Sequence, residues 1–456
     1  METNAFTIEN AMELLAQRKY ADLRNTLMEL PAADIAEMFE EIPQNQFAIL
    51  YRILPKELAA DVFVELDPDF QQVLIEAFSD KELREVLTEL YMDDTVDLIE
   101  EMPANVVKRI LANSSMENRK TVNELLKYPE DTAGSIMTTE FVRLKEDITV
   151  EEAFRLIRKV AIDKETIYTC YVTDNQNHLI GMVTVKYLLL SAYEAKIKDI
   201  MQDNVISVKT LDDKEDVAAT ISKYDALALP VVDEENRLVG IVTVDDAIDV
   251  IQDETEEDFA KMNAMAPVET PYLRTSVWTL WKSRIIWLLL LMVSATFTGM
   301  IISSFEDALR VQVVLTAFIP MLMDTGGNSG SQASVTVIRA ISLGEVEFAD
   351  LVRVVWKEIR VALLCGVSLG VVTFGKIFLV DKLMMNKPIT VSIALVVCLT
   401  LCITVLCAKL LGCTLPMIAA KLGFDPAVMA SPFITTIVDA VSLLVYFAFA
   451  TMLLHL

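Results

Sequence analysis

The sequence predicts a multidomain membrane protein with three parts. These are an all-α superhelical N-terminal domain, an α/β module made of an internal repeat, and an α-helical five-span transmembrane domain. Three observations carry this. Mean hydropathy is positive, at +0.41, although the formal charge is −27. The charge divides unevenly: residues 276–456 hold 12 Lys+Arg and 10 Asp+Glu, leaving 27 basic and 56 acidic residues for 1–275. Apolar stretches near the length of a bilayer core are confined to residues 276–456.

The acidic balance argues against a nucleic-acid binder, which needs a basic footprint, and suits a surface that attracts cations. Cys170, Cys365, Cys398, Cys402, Cys407 and Cys413 lack the paired spacing of secreted proteins. With only His178 and His455 present, a histidine-based zinc or iron site is nearly excluded. The opening "METNAFTIENAMELLAQRKY" is acidic and has no apolar core, so the first half is expected to stay in the cytoplasm.

Residues 1–130 read as consecutive short helices. Acidic-apolar periodicity is punctuated by "LPAAD", "IPQNQ", "LPKEL", "LDPDF" and "MPANV". Proline falls where a helix can begin, with Asp or Asn as a neighbouring cap. Residues 131–253 contain the repeat: "IMTTEFVRLKEDITVEEAFRLI" aligns with "IMQDNVISVKTLDDKEDVAATI", and "YTCYVTDNQNHLIGMVTVKYLL" with "LALPVVDEENRLVGIVTVDDAI". Each copy mixes helix periodicity with β-branched runs around an Asp-Asn or Glu-Asn turn. The pattern resembles a tandem pair of CBS domains, which in other proteins often bind adenine nucleotides. Residues 254–282 form a connector that ends on Trp278 and Trp281, placed like interfacial anchors.

Residues 283–456 are expected to cross the membrane at 283–304, 311–339, 355–380, 388–420 and 427–454. Arg274, Lys282, Arg284, Arg339, Arg353, Lys357, Arg360, Lys409 and Lys421 fall on one side, and Arg310, Lys376, Lys382 and Lys387 on the other. That bias puts the acidic half inside the cell and the C-terminus outside.

Two helices carry chemistry inside the membrane. Asp439 stands alone in "ITTIVDAVSLLVYFAFA", and Pro432, Thr435, Thr436, Ser442 and Tyr446 share its helical face. An intramembrane carboxylate usually marks an ion or proton path; the structural alternative is a buried Asp bonded to a neighbouring helix. In "MLMDTGGNSGSQASVTVIRA", Asp324, Asn328 and Gln332 recur at i+4, while Gly326 and Gly330 are spaced for close helix approach. Carboxylate, amide, hydroxyl and carbonyl oxygens suit a hard cation, and a sparse set of carboxylates suits hydrated Mg²⁺. One Asp439 per chain offers a single charge; a two-fold homodimer would offer two.

At this point the chain resembles the MgtE family of magnesium channels across its length. The resemblance rests on "YPEDTAGSIMTTEFV", "ALPVVDEENRLVGIVTVDDAIDVI", "TPYLRTSVWTLWKSRIIWL", "TGGNSGSQAS" and "GFDPAVMASPFITTIVDAVSLLVYF". It implies a homodimer in the plasma membrane that conducts Mg²⁺ into the cell, with Asp439 as pore aspartate, a backbone ligand near Thr435, and Asn328 in the glycine motif. Ser431 stands where family members often carry Asn. It also implies closure by cytosolic Mg²⁺ bridging Asp61, Asp93 and Asp97 of the helical domain, Asp213, Glu215, Asp225, Asp246 and Asp249 of the second repeat, and Asp253, Glu256 and Glu257 of the connecting (plug) helix. A Gly-x-x-Thr-x-x-Asp pattern at Gly240, Thr243 and Asp246 implies one ATP site at the second repeat; the first repeat has Gly181 and Thr184 but Tyr187 in place of the Asp. No enzymatic activity is expected. The alternatives are another CBS-regulated divalent cation carrier or exporter, and an intramembrane aspartyl protease using Asp324 and Asp439, since "MDTGG" is similar to a protease loop.

Overall fold

The computed structural model describes residues 8–454 except 269, 271, 385–388 and 430. The chain separates into two compact units, divided between Ile251 and Gln252.

The first unit opens with ten short helices, from α1 (Ile8–Ala16) to α10 (Met116–Leu125). Proline sets their starts. Pro31, Pro43, Pro55 and Pro103 occupy N-cap positions with φ between −57° and −61°, the value the ring imposes and the first turn accepts. The expected acidic caps are mostly absent: Asp67 precedes Pro68 but makes no side-chain cap bond. Ser79 instead forms a capping box with Glu82. Leu23, Ile35, Phe39, Phe47, Leu50 and Phe63, all buried, form the core of the stack.

The repeat is present as two three-stranded sheets of the same topology. β1 (Phe141–Lys145) runs parallel to β2 (Thr166–Thr173), which pairs antiparallel with β3 (Leu179–Thr184). β4 (Val208–Lys209), β5 (Ala228–Val232) and β6 (Leu238–Thr243) repeat the arrangement. The predicted turns hold equivalent geometry. Asp174 Oδ1 accepts from the amides of Gln176 and His178, and Asp233 Oδ1 from those of Glu235 and Arg237. Asn177 and Asn236 then take φ of 68° and 62°, which Asn tolerates better than most residues. The two turns also bond each other, Leu179 N to Asn236 O and Leu238 N to Asn177 O, both at 3.0 Å.

The start of each copy pairs with the sheet of the other. Thr138 bridges Ile241, and Gln202 bridges Met182. Helix α11 (Val150–Val160) covers the first sheet; α14 (Lys214–Tyr224) covers the second; α12 (Val185–Leu190) and α13 (Ile197–Ile200) join the copies. Helix α15 (Val244–Met262) follows β6 and carries the chain on through the acidic connector.

In the second unit, α16 (Val277–Ser304), a short α17 (Glu306–Val311), α18 (Ile319–Ser342), α19 (Leu351–Lys376), α20 (Val391–Lys421) and α21 (Ser431–Leu454) form a bundle. Four helical stretches among the described residues are long and apolar enough to cross a membrane: Val277–Ser304, Phe348–Met384, Val391–Lys421 and Pro426–Leu454. The remaining expected span falls on α18. Its 24 residues reach roughly 36 Å at 1.5 Å per residue, but its glycines and oxygen-bearing side chains keep it outside that apolar set. Between α18 and α20 the backbones touch: a Cβ on Gly412 would lie 2.3 Å from the carbonyl oxygen of Gly330.

Lys409 departs from its expected place at a membrane boundary. It lies within α20, 5% exposed, with its Nζ 3.8 Å from Glu358 Oε2 on α19. A charge inside a helix bundle is held by an opposite charge, which is why it cannot be counted with the loop cations.

Candidate metal centre and ion path

Among the described residues one cluster brings three potential metal ligands together: Asp93, Glu165 and Asp246 offer oxygens that all lie within 4.8 Å of one another. Each comes from a different part of the first unit. Asp93 is in the first turn of α8 (Met92–Glu101), where the positive end of the helix dipole favours an acid. Glu165 immediately precedes β2, and Asp246 lies in the first turn of α15.

These carboxylates are crowded by others of their kind. Burial, then Glu165 and Asp94, push the Asp93 carboxyl well above the ordinary range. Burial and Asp246 raise Glu165 to about 7. Burial raises Asp246 as well, against hydrogen bonds from Thr243 that favour its charged form. The flanking Asp94 is raised to about 6 by burial and Asp246. Asp97, one turn beyond Asp93, keeps surface open to solvent, yet the surrounding protein, together with Asp94 and Asp246, lifts it to about 7. Glu165 Oε2 is buried with no hydrogen-bond partner. An orphaned anionic oxygen facing two further carboxylates is expensive without a cation. An all-oxygen donor set of this kind fits Mg²⁺.

The structure thus brings Asp93 and Asp246 together, with Asp97 beside them. Asp61, on α5 (Lys56–Val64), is exposed, and partial burial and Glu57 push its carboxyl up. Asp213 caps the N-terminus of α14 by accepting from Glu215 N at 2.8 Å, and Asp225 closes its C-terminus with φ of 50°. Asp249, Asp253 and Glu256 are exposed along α15, and Glu257 is ion-paired to Lys261 at 2.7 Å. Glu165 was not expected. It lies in the first repeat, outside any repeated motif, and only the exchange of segments between repeats makes it a neighbour of the second.

The nucleotide pattern has a second use in this fold. A Cβ on Gly240 would lie 2.8 Å from Thr138 O and 2.6 Å from Met137 Sδ, so glycine is required where the first repeat crosses onto β6. Thr243 Oγ1 donates to Asp246 Oδ2 at 2.5 Å, and Thr243 N donates to the same oxygen at 3.2 Å. Both bonds orient the carboxylate that faces Asp93.

In the second unit the small and the polar residues of α18 separate onto two faces. Gly326, Gly330 and Ala333 are buried against neighbouring helices, whereas Asp324, Asn328 and Gln332 are exposed. Asn328 Nδ2 donates to Asp324 Oδ1 at 3.1 Å. On α21, Thr435 and Asp439 are half-buried. A Cβ on Gly327 would lie 2.2 Å from Thr435 Cγ2, which fixes how closely these helices approach. The stripe expected around Asp439 is shorter than its spacing suggested. Ser442 donates to Val438 O at 2.6 Å and Tyr446 to Leu315 O at 2.9 Å, both fully buried. The side chain of Ser431 lies outside the described residues. The "MDTGG" segment is helical, not the β-turn loop of an aspartic protease.

Fold and sites define the class: a helical membrane protein whose polar-faced bundle is joined to an acidic half containing a CBS pair. Residues 319–449 match the family described as MgtE, divalent cation transporter; 30–131 match the MgtE intracellular N domain; 133–193 and 197–253 match CBS domains. The chain is 35% identical over 447 residues to the magnesium transporter MgtE of Thermus thermophilus, covering 97% of both chains. It is 34% identical to that of Bacillus subtilis, covering 97% of this chain and 96% of the relative. The cytosolic domain of the Mg²⁺ channel MgtE in complex with ATP superposes with a TM-score of 0.51 at 36% identity, covering 53% of this chain and 99% of that one. The chain belongs to the MgtE family of divalent cation transporters.

Proposed function

We propose that the chain is a homodimeric Mg²⁺ channel of the plasma membrane that admits Mg²⁺ and closes when cytosolic Mg²⁺ is high. The relatives named as magnesium transporters support the substrate. The observation that carries the path is the adjacency of α18 and α21, with Asp324 and Asn328 on the open face of one helix and the half-buried Asp439 on the other. Oxygens of this kind hold a hydrated Mg²⁺ through its water. In this reading α18 is the fifth crossing, shielded from lipid by its neighbours and by the second subunit, which supplies the second Asp439.

Closure uses the first unit. Mg²⁺ between Asp93, Glu165 and Asp246 ties the helical domain to both repeats, and ions along α15 extend the effect through Asp253 and Glu256, beside Glu257, whose charge Lys261 meets. Asp61, Asp97, Asp213, Glu215, Asp225 and Asp249 add to the same acidic surface. ATP at Gly240, Thr243 and Asp246 modulates the sensor, a reading supported by the relative crystallised with ATP.

The test is Mg²⁺ flux into proteoliposomes holding the full chain, with Asp439→Asn beside it. Flux through the unmodified protein that Asp439→Asn abolishes supports the reading, and undiminished flux through the variant overturns the pore assignment. Flux recorded with and without a membrane potential separates a channel from a carrier.

A further inference from the structure

Within the second unit, the end of α15 is fastened to the bundle by a lysine. Lys261 Nζ lies 2.7 Å from Glu257 Oε1 on its own helix and 2.8 Å from Asp425 Oδ2, in the loop that leads into α21. All three side chains are about two-thirds buried. Asp425 is itself held in place: its other oxygen, Oδ1, accepts from Ala427 N at 2.7 Å. Around this contact, Met262 packs on Ile338 of α18 and on Ala427, and Ser342 Oγ at the end of α18 donates to Asp258 Oδ2 at 3.4 Å. Ala266 N donates to Ser283 O on α16 at 2.9 Å. The connector is therefore anchored to α18, which carries Asn328, to α16, and to the loop that leads into α21.

We propose that Lys261 is a tethered cation that latches the connector onto the pore helices without any metal, and so sets how much Mg²⁺ is needed to keep the path closed. The ammonium does between Glu257 and Asp425 what a free ion does elsewhere on this acidic surface: it neutralises two carboxylates that would otherwise repel. Its effective concentration is fixed by the chain, so this contact persists when Mg²⁺ is absent. The inference deepens the gating reading above and rests on it for its functional consequence.

The experiment compares the full-length protein with Lys261→Gln and Asp425→Asn in liposome patches, first with the cytosolic face in EDTA and then with added Mg²⁺. Asn at 425 keeps an oxygen for Ala427 N while losing the charge. In EDTA each variant should raise the open probability roughly three- to tenfold, the scale of one or two partly screened ion pairs. Both should need more Mg²⁺ to close. The double variant should gain no more than either single one, because both break the same contact. Unchanged open probability in EDTA, or independent addition in the double variant, overturns the latch. Amide hydrogen exchange over residues 258–266 gives a readout that does not depend on conduction: faster exchange in Lys261→Gln supports the latch, and equal exchange overturns it. If Mg²⁺ fails to close the unmodified protein, the gating reading falls by itself, and the EDTA and exchange comparisons still decide the latch.

Discussion

Asp93 and Asp246 come from separate domains of one unit, yet their carboxylate oxygens lie within 4.8 Å of each other and of Glu165. Two unit charges about 4 Å apart interact by about 4 kcal/mol in a partly solvated protein setting. Three such groups repel strongly unless a cation or protons intervene. The arrangement is therefore conditional, and what satisfies it sets whether the helical domain stays against the repeats.

Glu165→Gln tests the cluster through the residue that no motif pointed to. The substitution keeps the shape and removes one charge. Mg²⁺ should protect the acidic half of the full-length protein from limited proteolysis, and the variant should need roughly tenfold more Mg²⁺ for equal protection, the scale of losing one ligand-shell group. In EDTA the order reverses: the variant, relieved of one repulsion, should be cut more slowly than the unmodified chain. Equal Mg²⁺ titrations would remove Glu165 from the site.

Protons should substitute for the metal, and the sign follows from the raised carboxyls. Glu165 and Asp97 titrate at about 7 and Asp94 at about 6 in the folded unit, against about 4 when unfolded. Between those values the folded form binds more protons, so its stability falls as pH rises from about 4 to 7 and levels off above. Without divalent ions the acidic half should resist protease better at pH 5.5 than at pH 8. The protection added by Mg²⁺ should be large at pH 8 and small at pH 5.5, since the ion needs ionised ligands. Protection independent of pH would show that other groups hold the ion.

Much of this architecture was legible in the sequence, and what was missed has physical causes. The repeat announced its sheets because hydrophobic alternation and Asx turns are local, and Asn177 and Asn236 take the left-handed conformation those turns need. The exchange of Thr138 and Gln202 between sheets is a long-range pairing, without a local signal, so Glu165 could not be read as a partner of Asp246. The Asp439 stripe was overread because helical spacing places Ser442 and Tyr446 on that face without revealing that Val438 and Leu315 carbonyls already satisfy them. Lys409 looked like a loop charge because Glu358, the residue that holds it, is remote in sequence.

Thr243 separates two uses of Asp246. Its hydroxyl and amide bond Asp246 Oδ2, and the same pattern is the proposed ATP contact. Thr243→Val should weaken ATP binding at least several-fold while shifting the Mg²⁺ protection titration by less than threefold, since the backbone bond still orients the carboxylate. Asp246→Asn should weaken both. Isothermal titration with ATP, run beside the proteolysis assay, distinguishes them. Equal losses in Thr243→Val would mean that the hydroxyl bond to Asp246 matters as much to the cation as to the nucleotide.

Gly412 and Gly330 set the distance between α20 and α18, and that distance carries the path. A Cβ at Gly412 would meet the backbone oxygen of Gly330 at 2.3 Å and the side chain of Ala333 at 3.1 Å. A backbone oxygen cannot swing aside as a flexible side chain can, so Gly412→Val must part the helices. Overpacking of this kind typically costs about 1–3 kcal/mol, and the displaced α18 would carry Asp324 and Asn328 with it. The variant should lower the melting temperature in detergent by several degrees and reduce Mg²⁺ flux more than its yield of folded protein explains. Gly375→Ala is the matched control, because a Cβ there meets nothing within 4 Å. It should leave both the melting temperature and the flux essentially unchanged; a loss equal to that of Gly412→Val would mean that the bundle tolerates no added volume in general, and the specific role of the α18–α20 contact would fall.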